Sequence, residues 1–313
     1  MAFFLFRRVL STAPVLVIVA LIVFMILRLT PGDPAAALVG DNGTSADIAR
    51  IHASLGLDRP LPVQFVKWTG QLLQGNLGDS YYMKQPVTRL IAQRIAPTVS
   101  LSALTLVMTL LLAVPLGVIA ASRHGGWLDR TLMGVSVMGF SVPSFVVGYI
   151  LIWAVALHAK LLPVQGYAPL SAGIGPWLTH LILPAITLSI VYLALIARVT
   201  RAAVAEALTE DYIRTARAKG ISEARVLIRH ALANAAVPIV TVIGIGVGLL
   251  IGGVVVTETV YAIPGLGQLT VDAVLARDFP LVQGITLFFS FVYVLINLLV
   301  DMSYLLLDPR IRY

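Results

Sequence analysis

The chain has 313 residues, of which 58% are hydrophobic and only 12% are charged, and its formal net charge is +7. With a mean hydropathy of +0.93, it lies far outside the range of soluble globular domains, which indicates an integral membrane protein. The absence of Cys excludes disulfides, thiolate metal sites and a Cys nucleophile. In a membrane protein, excess positive charge is typical of segments that flank spans on the cytoplasmic side, so we expect no nucleic-acid binding.

Six apolar stretches are long enough to cross a bilayer core, which takes about 20 helical residues. The first, residues 9–27, is longer than the apolar region of a secretory signal, so we interpret it as a retained span. The others lie within residues 95–122, 131–159, 177–197, 231–257 and 281–307. The predicted fold class is therefore an all-α integral membrane protein with six transmembrane helices.

The distribution of Arg and Lys predicts that both termini are cytoplasmic. With that orientation, the inner segments hold two basic residues at each terminus, two in the turn at 123–130 and seven in residues 198–230. The short outer loops hold only Lys160 and Arg277. Basic residues collect on the cytoplasmic side of membrane spans.

This topology divides the chain into residues 1–30, a tail with the first span; residues 31–94, a large extracytoplasmic loop; and residues 95–313, a five-helix core. The loop carries helix signals of its own. Ser45 and Gly56 mark the start and stop of one helix, and Pro62 and Gly75 mark those of a second. Pro86 begins a third helix, which runs toward the second span. We interpret the loop as a cap over the outer mouth or as a docking surface for an external partner.

Small residues and prolines in the spans predict close packing and kinks. Gly244, Gly248 and Gly252 recur at every fourth position, and this spacing lets helix backbones approach closely in lipid. The pattern does not say whether the neighbouring helix belongs to the same chain. Kinks are expected at four prolines, because each leaves a carbonyl that needs another partner. These are Pro115, Pro143, Pro184 and Pro238.

Polar groups inside the spans are few, and intramembrane ionisable residues are functional hypotheses by default. Glu258, Asn297 and Asp301 are candidates for a translocation pathway, although each could equally be a buried polar group satisfied by helix packing. The five His residues are scattered, so no metal site is predicted. The chain also lacks a phosphate-binding loop, so any ATP must be hydrolysed by another subunit.

Residues 198–230 form the most charged stretch, with seven basic and four acidic residues between two apolar segments. Thr209 or Asp211 is expected to cap a short helix that ends at Gly220, and Ser222 is expected to start a second helix. Two short helices that meet at a glycine make a compact projection, and we call residues 210–232 the knob. Its charge pattern fits a solvated amphipathic surface or a docking surface for another protein.

The stretch Glu210-Asp211-Tyr212-Ile213-Arg214-Thr215-Ala216-Arg217-Ala218-Lys219-Gly220 resembles the cytoplasmic EAA loop of ABC importer permeases. The variant is the one found in the dipeptide, oligopeptide, nickel and glutathione transporter family. Gly220, Ala216 and Leu232 match the general pattern of that loop. The chain departs from the pattern at its Glu, first Ala, Ile and Pro positions, as is typical of the peptide branch. These departures are Arg214, Thr215, His230 and Ala233.

The resemblance extends over essentially the whole chain, to the first permease subunit of that family. In the N-terminal part it is carried by Pro31-Gly32-Asp33-Pro34, Leu55-Gly56-Leu57-Asp58 and Gly75-Asn76-Leu77-Gly78. In the C-terminal part it is carried by Thr257-Glu258, Pro264-Gly265-Leu266-Gly267, Arg277-Asp278-Phe279-Pro280 and Asp308-Pro309-Arg310-Ile311-Arg312.

The resemblance implies a type I ABC importer permease in the bacterial cytoplasmic (inner) membrane. Its expected partners are a second homologous permease, two ABC ATPase subunits, an extracytoplasmic solute-binding protein and membrane lipid. ATP and Mg would be bound by the ATPase subunits, and no cofactor by this chain. Coupling to the ATPases is expected at Glu210, Asp211, Tyr212, Arg214, Thr215, Ala216, Arg217, Lys219, Gly220 and Leu232. Contacts with the binding protein are expected at Asp272, Arg277 and Asp278.

The solute implied by the resemblance is a short peptide, with glutathione or nickel as alternatives. A different class of function, an ion-coupled secondary carrier, would require intramembrane carboxylates and an inverted repeat, and we detect no such repeat. An intramembrane enzyme would need a convergent nucleophile and base or a metal set, which the spans do not offer.

Overall fold

The computed structural model describes residues 2–29, 44–55 and 58–307, and they are mostly helical. The α-helices are α1 (Ala2–Leu29), α2 (Ser45–Leu55), α3 (Leu61–Leu73), α4 (Val87–Ser122), α5 (Trp127–Ser141), α6 (Ser144–Leu151), α7 (Ile174–Ala207), α8 (Asp211–Ala218), α9 (Glu223–Arg225), α10 (Ala236–Val260), α11 (Leu266–Leu275) and α12 (Phe279–Leu307). Two π-helices, Ile152–His158 and Val226–Leu232, and a 3-10 turn, Leu170–Ala172, complete the set. Within the described ranges the β pairing is limited to an isolated antiparallel bridge between Asp79 and Pro86. The predicted all-α class is confirmed.

The chain divides into two compact units. The first comprises Met1–Ile95 with Leu269–Val294, and the second comprises Ala96–Gln268 with Leu295–Tyr313. The predicted core, residues 95–313, differs from this division because residues 269–294 group with the N-terminal part. Within the first unit, a Cβ added to Gly284 would collide with the side chain of Val87, which shows how closely these segments pack.

Four helices in the described part of the chain are long and apolar enough to cross a membrane: α4, α7, α10 and residues Phe279–Tyr304 of α12. They contain the second, fourth, fifth and sixth predicted spans. Helix α1 has a shorter apolar stretch, Leu10–Ile26, at the first predicted span. The count of six spans and the cytoplasmic placement of the termini stay predictions.

The third predicted span is a bent pair of helices, and the kink expected at Pro143 is observed. Helix α5 ends at Ser141, α6 begins at Ser144, and the two halves of the span meet at 99°. The break falls at Val142, whose φ of −96° and ψ of 121° are extended. Pro143 causes it, because a proline disfavours helical backbone at the preceding residue. The pair counts as a fifth span if it crosses the membrane as a bent unit.

The helices of the predicted outer loop form as expected. Helix α2 begins at Ser45 and α3 has Pro62 at its second position. Gly75 ends α3 with a left-handed φ of 77°, and its N–H donates to the Leu72 carbonyl at 2.9 Å. The helix predicted at Pro86 is confirmed as α4. The predicted stop at Gly56, the motif at 31–34 and part of the one at 55–58, and the C-terminal motif at 308–312 lie outside the described residues.

Within the first unit, α3 is held against α1 by an aromatic cluster. Phe24 is 1% exposed, and its ring centroid lies 5.3 Å from that of Phe65 and 5.5 Å from that of Trp68. Aromatic pairs at such separations add to the stabilisation from burial. The loop therefore contains a packed helix rather than an irregular connection.

Helix α7 is the most buried helix of the second unit, and small residues let its neighbours approach it. A Cβ added to Gly117 of α4 would lie 2.7 Å from the Thr200 Cβ atom, and one added to Gly139 of α5 would lie 3.3 Å from the Ala194 Cβ atom. The Thr187 hydroxyl of α7 lies 2.8 Å from that of Tyr261, which follows α10. Dispersion and hydrogen bonding hold helices together in lipid, where the hydrophobic effect does not.

The glycine stripe of α10 has two different environments. At Gly244 an added Cβ would lie 2.6 Å from Val300 Cγ2 of α12, so this glycine meets a helix of the same chain. At Gly252 it would have no atom within 4 Å, and the residue is exposed. Close packing within the chain is thus observed at Gly244, whereas the face at Gly252 is open.

We expect Gly244→Leu to destabilise the protein by about 1–3 kcal/mol, the usual cost of overpacking. The matched variant Gly252→Leu should leave the stability of the isolated chain unchanged, since its side chain enters open space. Thermal unfolding of the purified chain in detergent measures both. Equal losses of stability in the two variants would contradict this distinction. If Gly252→Leu lost stability only in complexes with other subunits, Gly252 would lie at an interface between chains.

Candidate functional site

The knob consists of α8, a turn at Gly220, α9 and the π-helix Val226–Leu232. Gly220 has a left-handed φ of 74°. Its N–H donates to the Arg217 carbonyl at 2.9 Å, and the N–H of Ile221 donates to the Ala216 carbonyl at 3.2 Å. This pair of bonds is a Schellman motif, in which glycine is preferred because it has no Cβ. The predicted helix stop at Gly220 is confirmed.

The predicted N-terminal cap of α8 is wrong. Glu210 occupies the cap position and makes no side-chain cap bond. The Thr209 hydroxyl donates instead to the Glu206 carbonyl at 2.7 Å, and Asp211 is the first helical residue. Ser222 does precede α9 as expected, although its side chain makes no cap bond either. The acidic residues of the first turn favour the helix through its dipole rather than by capping.

A salt bridge joins the two helices of the knob across the glycine turn. Arg217 Nη2 donates to Glu223 Oε1 at 2.6 Å, and Arg217 Nε donates to Glu223 Oε2 at 3.1 Å. These bonds lower the pKa of the Glu223 carboxyl and raise the pKa of the Arg217 guanidinium. The sequence did not predict this pairing, because it depends on the direction of the chain after Gly220.

The inner side of the knob packs against the ends of the long helices. Ile213 and Val226 are 0% exposed and Ala216 is 6% exposed. They form one apolar cluster, which we call the seat, with side chains of α4, α7 and the start of α10. Those side chains are Val118, Ala121, Val204, Ala207, Ala235 and Ile239, and they are joined by Ala231 of the π-helix. The seat fixes the knob to the ends of these helices.

The outer side of the knob contains most of the predicted coupling residues. Ala216 faces the seat, and Leu232 is partly buried against it. The others are exposed: Glu210, Asp211, Tyr212, Arg214, Thr215, Arg217, Lys219 and Gly220. Burial and the Glu210 charge raise the pKa of the Tyr212 phenol. The structure therefore brings eight of the ten residues together on one accessible surface of mixed charge, and their role in coupling stays a prediction.

We expect Glu223→Gln to lower stability by about 0.5 kcal/mol at neutral pH, as is usual for an exposed ion pair. Because the pKa of Glu223 is lowered on folding, its contribution is present above the ordinary value of 4.5 and is lost as the pH falls through the folded-state value. Unfolding in detergent across the acid range should therefore show a flatter pH dependence in the variant. The control is Glu206→Gln, at an exposed carboxylate with no ion pair in the described part of the chain. An unchanged pH dependence in Glu223→Gln would show that the Arg217–Glu223 salt bridge does not contribute to stability.

Glu258, a candidate for the translocation pathway, is fully buried in the second unit. Its Oε2 accepts the backbone N–H groups of Gly267 at 2.7 Å and Gln268 at 3.1 Å. Its Oε1 accepts the hydroxyl of Thr98 at 2.6 Å, and that hydroxyl accepts the N–H of Leu266 at 2.8 Å. Glu258 and Thr98 together cap the first turn of α11. This is the packing alternative left open by the sequence, and we call this arrangement the Glu258 clamp.

The Glu258 clamp explains the glycines of the Pro264-Gly265-Leu266-Gly267 motif. A Cβ on Gly265 would collide with the Glu258 carboxylate, and one on Gly267 would lie 2.5 Å from the Val255 Cα atom. Both positions need glycine because the carboxylate and the backbone of α10 approach so closely. The other two pathway candidates lie on α12, where Asn297 is exposed and Asp301 is partly buried. Their role stays a prediction.

We expect Glu258→Ala to destabilise the protein by about 3 kcal/mol, since it leaves several buried donors without an acceptor. Glu258→Gln retains one acceptor oxygen and should cost less. Thermal unfolding in detergent distinguishes them, with Asp272→Asn as the control at an exposed carboxylate. If Glu258→Ala unfolds at the parent's temperature, the clamp does not hold α11.

Asp278, predicted to contact a binding protein, is buried at 1% exposure in the first unit. It accepts the Ser80 hydroxyl and the backbone N–H groups of Tyr81 at 3.1 Å and Tyr82 at 3.2 Å. The prediction for this residue is therefore corrected, because its carboxylate is enclosed by the 80–82 turn. Asp272 and Arg277 are exposed and stay candidates.

Within 2–29, 44–55 and 58–307, no group of three or more His, Asp or Glu side chains is arranged to hold a metal. The buried carboxylates Glu258 and Asp278 are occupied by backbone and hydroxyl donors. Among the described residues of the second unit, the outer side of the knob exposes charges of both signs.

Comparisons with known proteins agree along the whole chain. Residues 113–313 match the family described as "Binding-protein-dependent transport system inner membrane component", and residues 1–102 match "Binding-prot-dependent transport system membrane comp, N-term". A probable peptide ABC transporter permease of Sinorhizobium fredii is 51% identical over 100% of both chains. A glutathione transport system permease of Pectobacterium atrosepticum is 42% identical over 98% of both.

Among solved structures, the chain is similar to the MetNI methionine ABC transporter in inward-facing conformations. The TM-score is 0.56 at 18% identity, and the match covers 70% of this chain and 96% of that one. At this identity the likeness concerns the fold, and it agrees with the expected permease architecture.

Proposed function

Because the chain belongs to the family of binding-protein-dependent transport system inner membrane components, we propose that it imports short peptides. In this proposal the energy comes from two ATPase subunits that dock on the knob. A second homologous permease completes the membrane part, and an extracytoplasmic binding protein delivers the solute. A multi-pass subunit of an ABC importer in the inner membrane accounts for the apolar helices without an ion-coupled carrier.

Peptide as the solute is supported by the 51% identity to a probable peptide permease, which extends over the full length of both chains. Glutathione is the second candidate, because a glutathione permease is 42% identical over nearly the same length. Glutathione is itself a tripeptide, so both relatives favour a small peptide-like solute with an amide backbone. They favour nickel less, although it stays among the predicted alternatives.

The knob is suited to transmit force because its two sides differ. Its outer side exposes charges of both signs, including the Arg217–Glu223 bridge. Its inner side is fixed to α4, α7 and α10 by the seat. A partner that pushes the outer side would displace the ends of these helices rather than bend the knob, since packed apolar cores deform little. In the predicted orientation this site faces the cytoplasm, where ATP and Mg are bound by the ATPases.

The solute is tested by uptake into proteoliposomes that contain both permeases and both ATPases. Binding proteins specific for dipeptides, for glutathione and for nickel are added in turn with the radiolabelled solute. We expect ATP-dependent accumulation of dipeptides. Uptake of glutathione or Ni²⁺ with no uptake of any short peptide would contradict the proposed solute while leaving the importer mechanism intact.

We expect Gly220→Val to weaken ATPase docking and to uncouple ATP hydrolysis from import, because a β-branched residue at a φ of 74° is strained by about 1–2 kcal/mol or more. The matched control is Gly220→Asn, since Asn tolerates the left-handed region. Co-purification of the ATPase and the ratio of solute imported to ATP hydrolysed are measured for both. Normal docking and import in Gly220→Val would refute the role of the knob.

A further inference from the structure

Asp129 is a buried carboxylate that lies outside the knob. It lies in the first turn of α5 and is 3% exposed. Its Oδ1 accepts Arg201 Nε at 2.8 Å, its Oδ2 accepts Arg201 Nη2 at 2.6 Å, and the N–H of Gly125 donates to Oδ2 at 2.9 Å. Such bidentate, charge-assisted bonds are directional as well as strong. One carboxylate thus joins the turn before α5, α5 itself and α7.

Arg201 is placed on α7 immediately before the seat of the knob. Val204 and Ala207, which follow it along the same helix, are both part of the seat. Residues three apart on a helix lie on the same side, so Arg201 and Val204 are neighbours along one face. A displacement of the knob that moves the end of α7 therefore moves Arg201 with it.

Apolar contacts alone would let α5 slide along α7. Gly139 of α5 meets Ala194 of α7 closely enough that an added Cβ would lie 3.3 Å from its Cβ atom. Packed helices can nevertheless shift past one another by small shear motions. Two parallel hydrogen bonds between a carboxylate and a guanidinium resist such a shift, because both lengthen when the helices move. The ion pair supplies the directional restraint that the glycine contact lacks.

We propose that the Asp129–Arg201 pair locks α5 to α7, so that motion of the knob is passed to α5 and to the break at Pro143. The pair positions helices and touches no solute. This inference rests on the proposed function of the knob. A pair that only stabilised the fold would be replaceable by apolar residues without loss of coupling, and this distinguishes the two roles.

The first test measures whether α5 and α7 move together in the unaltered pair. The chain has no Cys, so spin labels on Trp127→Cys of α5 and Glu206→Cys of α7, both exposed positions, report a single distance. In the transporter assembled with its ATPases, this distance should be the same without nucleotide and with ATP. In Arg201→Lys, which cannot form both parallel bonds, the two states should differ. A change of distance between states with the pair intact would overturn the proposal.

The second test replaces the pair by an apolar one. Asp129→Leu combined with Arg201→Met removes both charges together, which avoids leaving either one buried without its partner. We expect this double variant to assemble with the ATPases and to hydrolyse ATP. It should import at least about fivefold less solute per ATP, the lower end of measured couplings between sites. The matched control is Arg130→Met, at the exposed arginine next to Asp129, which should behave as the parent.

The outcomes separate this inference from the proposed function. Import at the parent's ratio in the double variant, together with uncoupling in Gly220→Val, overturns the role of the pair alone. Normal import in Gly220→Val means that the knob does not couple, and the proposed function then fails independently of the pair. Should the double variant not assemble, the distance measured with the pair intact decides the question.

Discussion

The close approach of neighbouring helices to α7 is the constraint on which the second unit depends. Helices in lipid gain little from the hydrophobic effect, so their association rests on contact between small residues and on hydrogen bonds. Helix α7 makes such contacts with four helices. They are Gly117 with Thr200, Gly139 with Ala194, Gly148 with Thr187, and Gly253 with Tyr192. Because the knob follows α7 directly and its seat includes the end of that helix, its position is set by the same packing.

Three buried carboxylates show how charge is tolerated where helices break. Glu258 accepts N–H groups at the start of α11, Asp278 accepts them from the 80–82 turn, and Asp129 accepts one from Gly125. A turn between helices leaves N–H groups without acceptors, and a buried carboxylate needs several donors. The buried carboxylate therefore accepts hydrogen bonds from the N–H groups of the turn, and those N–H groups supply the donors that the carboxylate needs. Glu258 was a candidate for the solute pathway, and in the structure it holds the start of α11 instead.

The two sides of the knob explain how a short, charged segment can be both accessible and stiff. Its exposed charges provide a surface that a soluble partner can recognise, whereas Ile213 and Val226 are fully buried in the seat. The Arg217–Glu223 bridge and the turn at Gly220 fix the angle between its helices. Stiffness here comes from the apolar side, because exposed ion pairs contribute little on their own.

Local signals in the sequence were sufficient for features that depend on a few neighbouring residues. Apolar length located the helices that contain four of the spans, and the glycines at 75 and 220 located two helix ends, because a left-handed residue is a local requirement. Pro143 likewise located the break in the third span, because a proline disfavours helical backbone at the preceding residue. Local signals failed at the cap of α8, where Thr209 bonds backward to Glu206 instead of forward.

By itself the sequence determined the membrane class, most helix positions, the family and the place of the knob, since each follows from composition or from short motifs. Only the tertiary structure decided the partners of the charged side chains. Thr98 and Glu258 are separated by 160 residues, and Asp129 and Arg201 by 72. No periodicity or motif links positions so far apart, because their contact depends on which helix faces pack together. The same reason explains why Asp278, a predicted docking residue, proved to be a buried carboxylate that is bonded to the 80–82 turn.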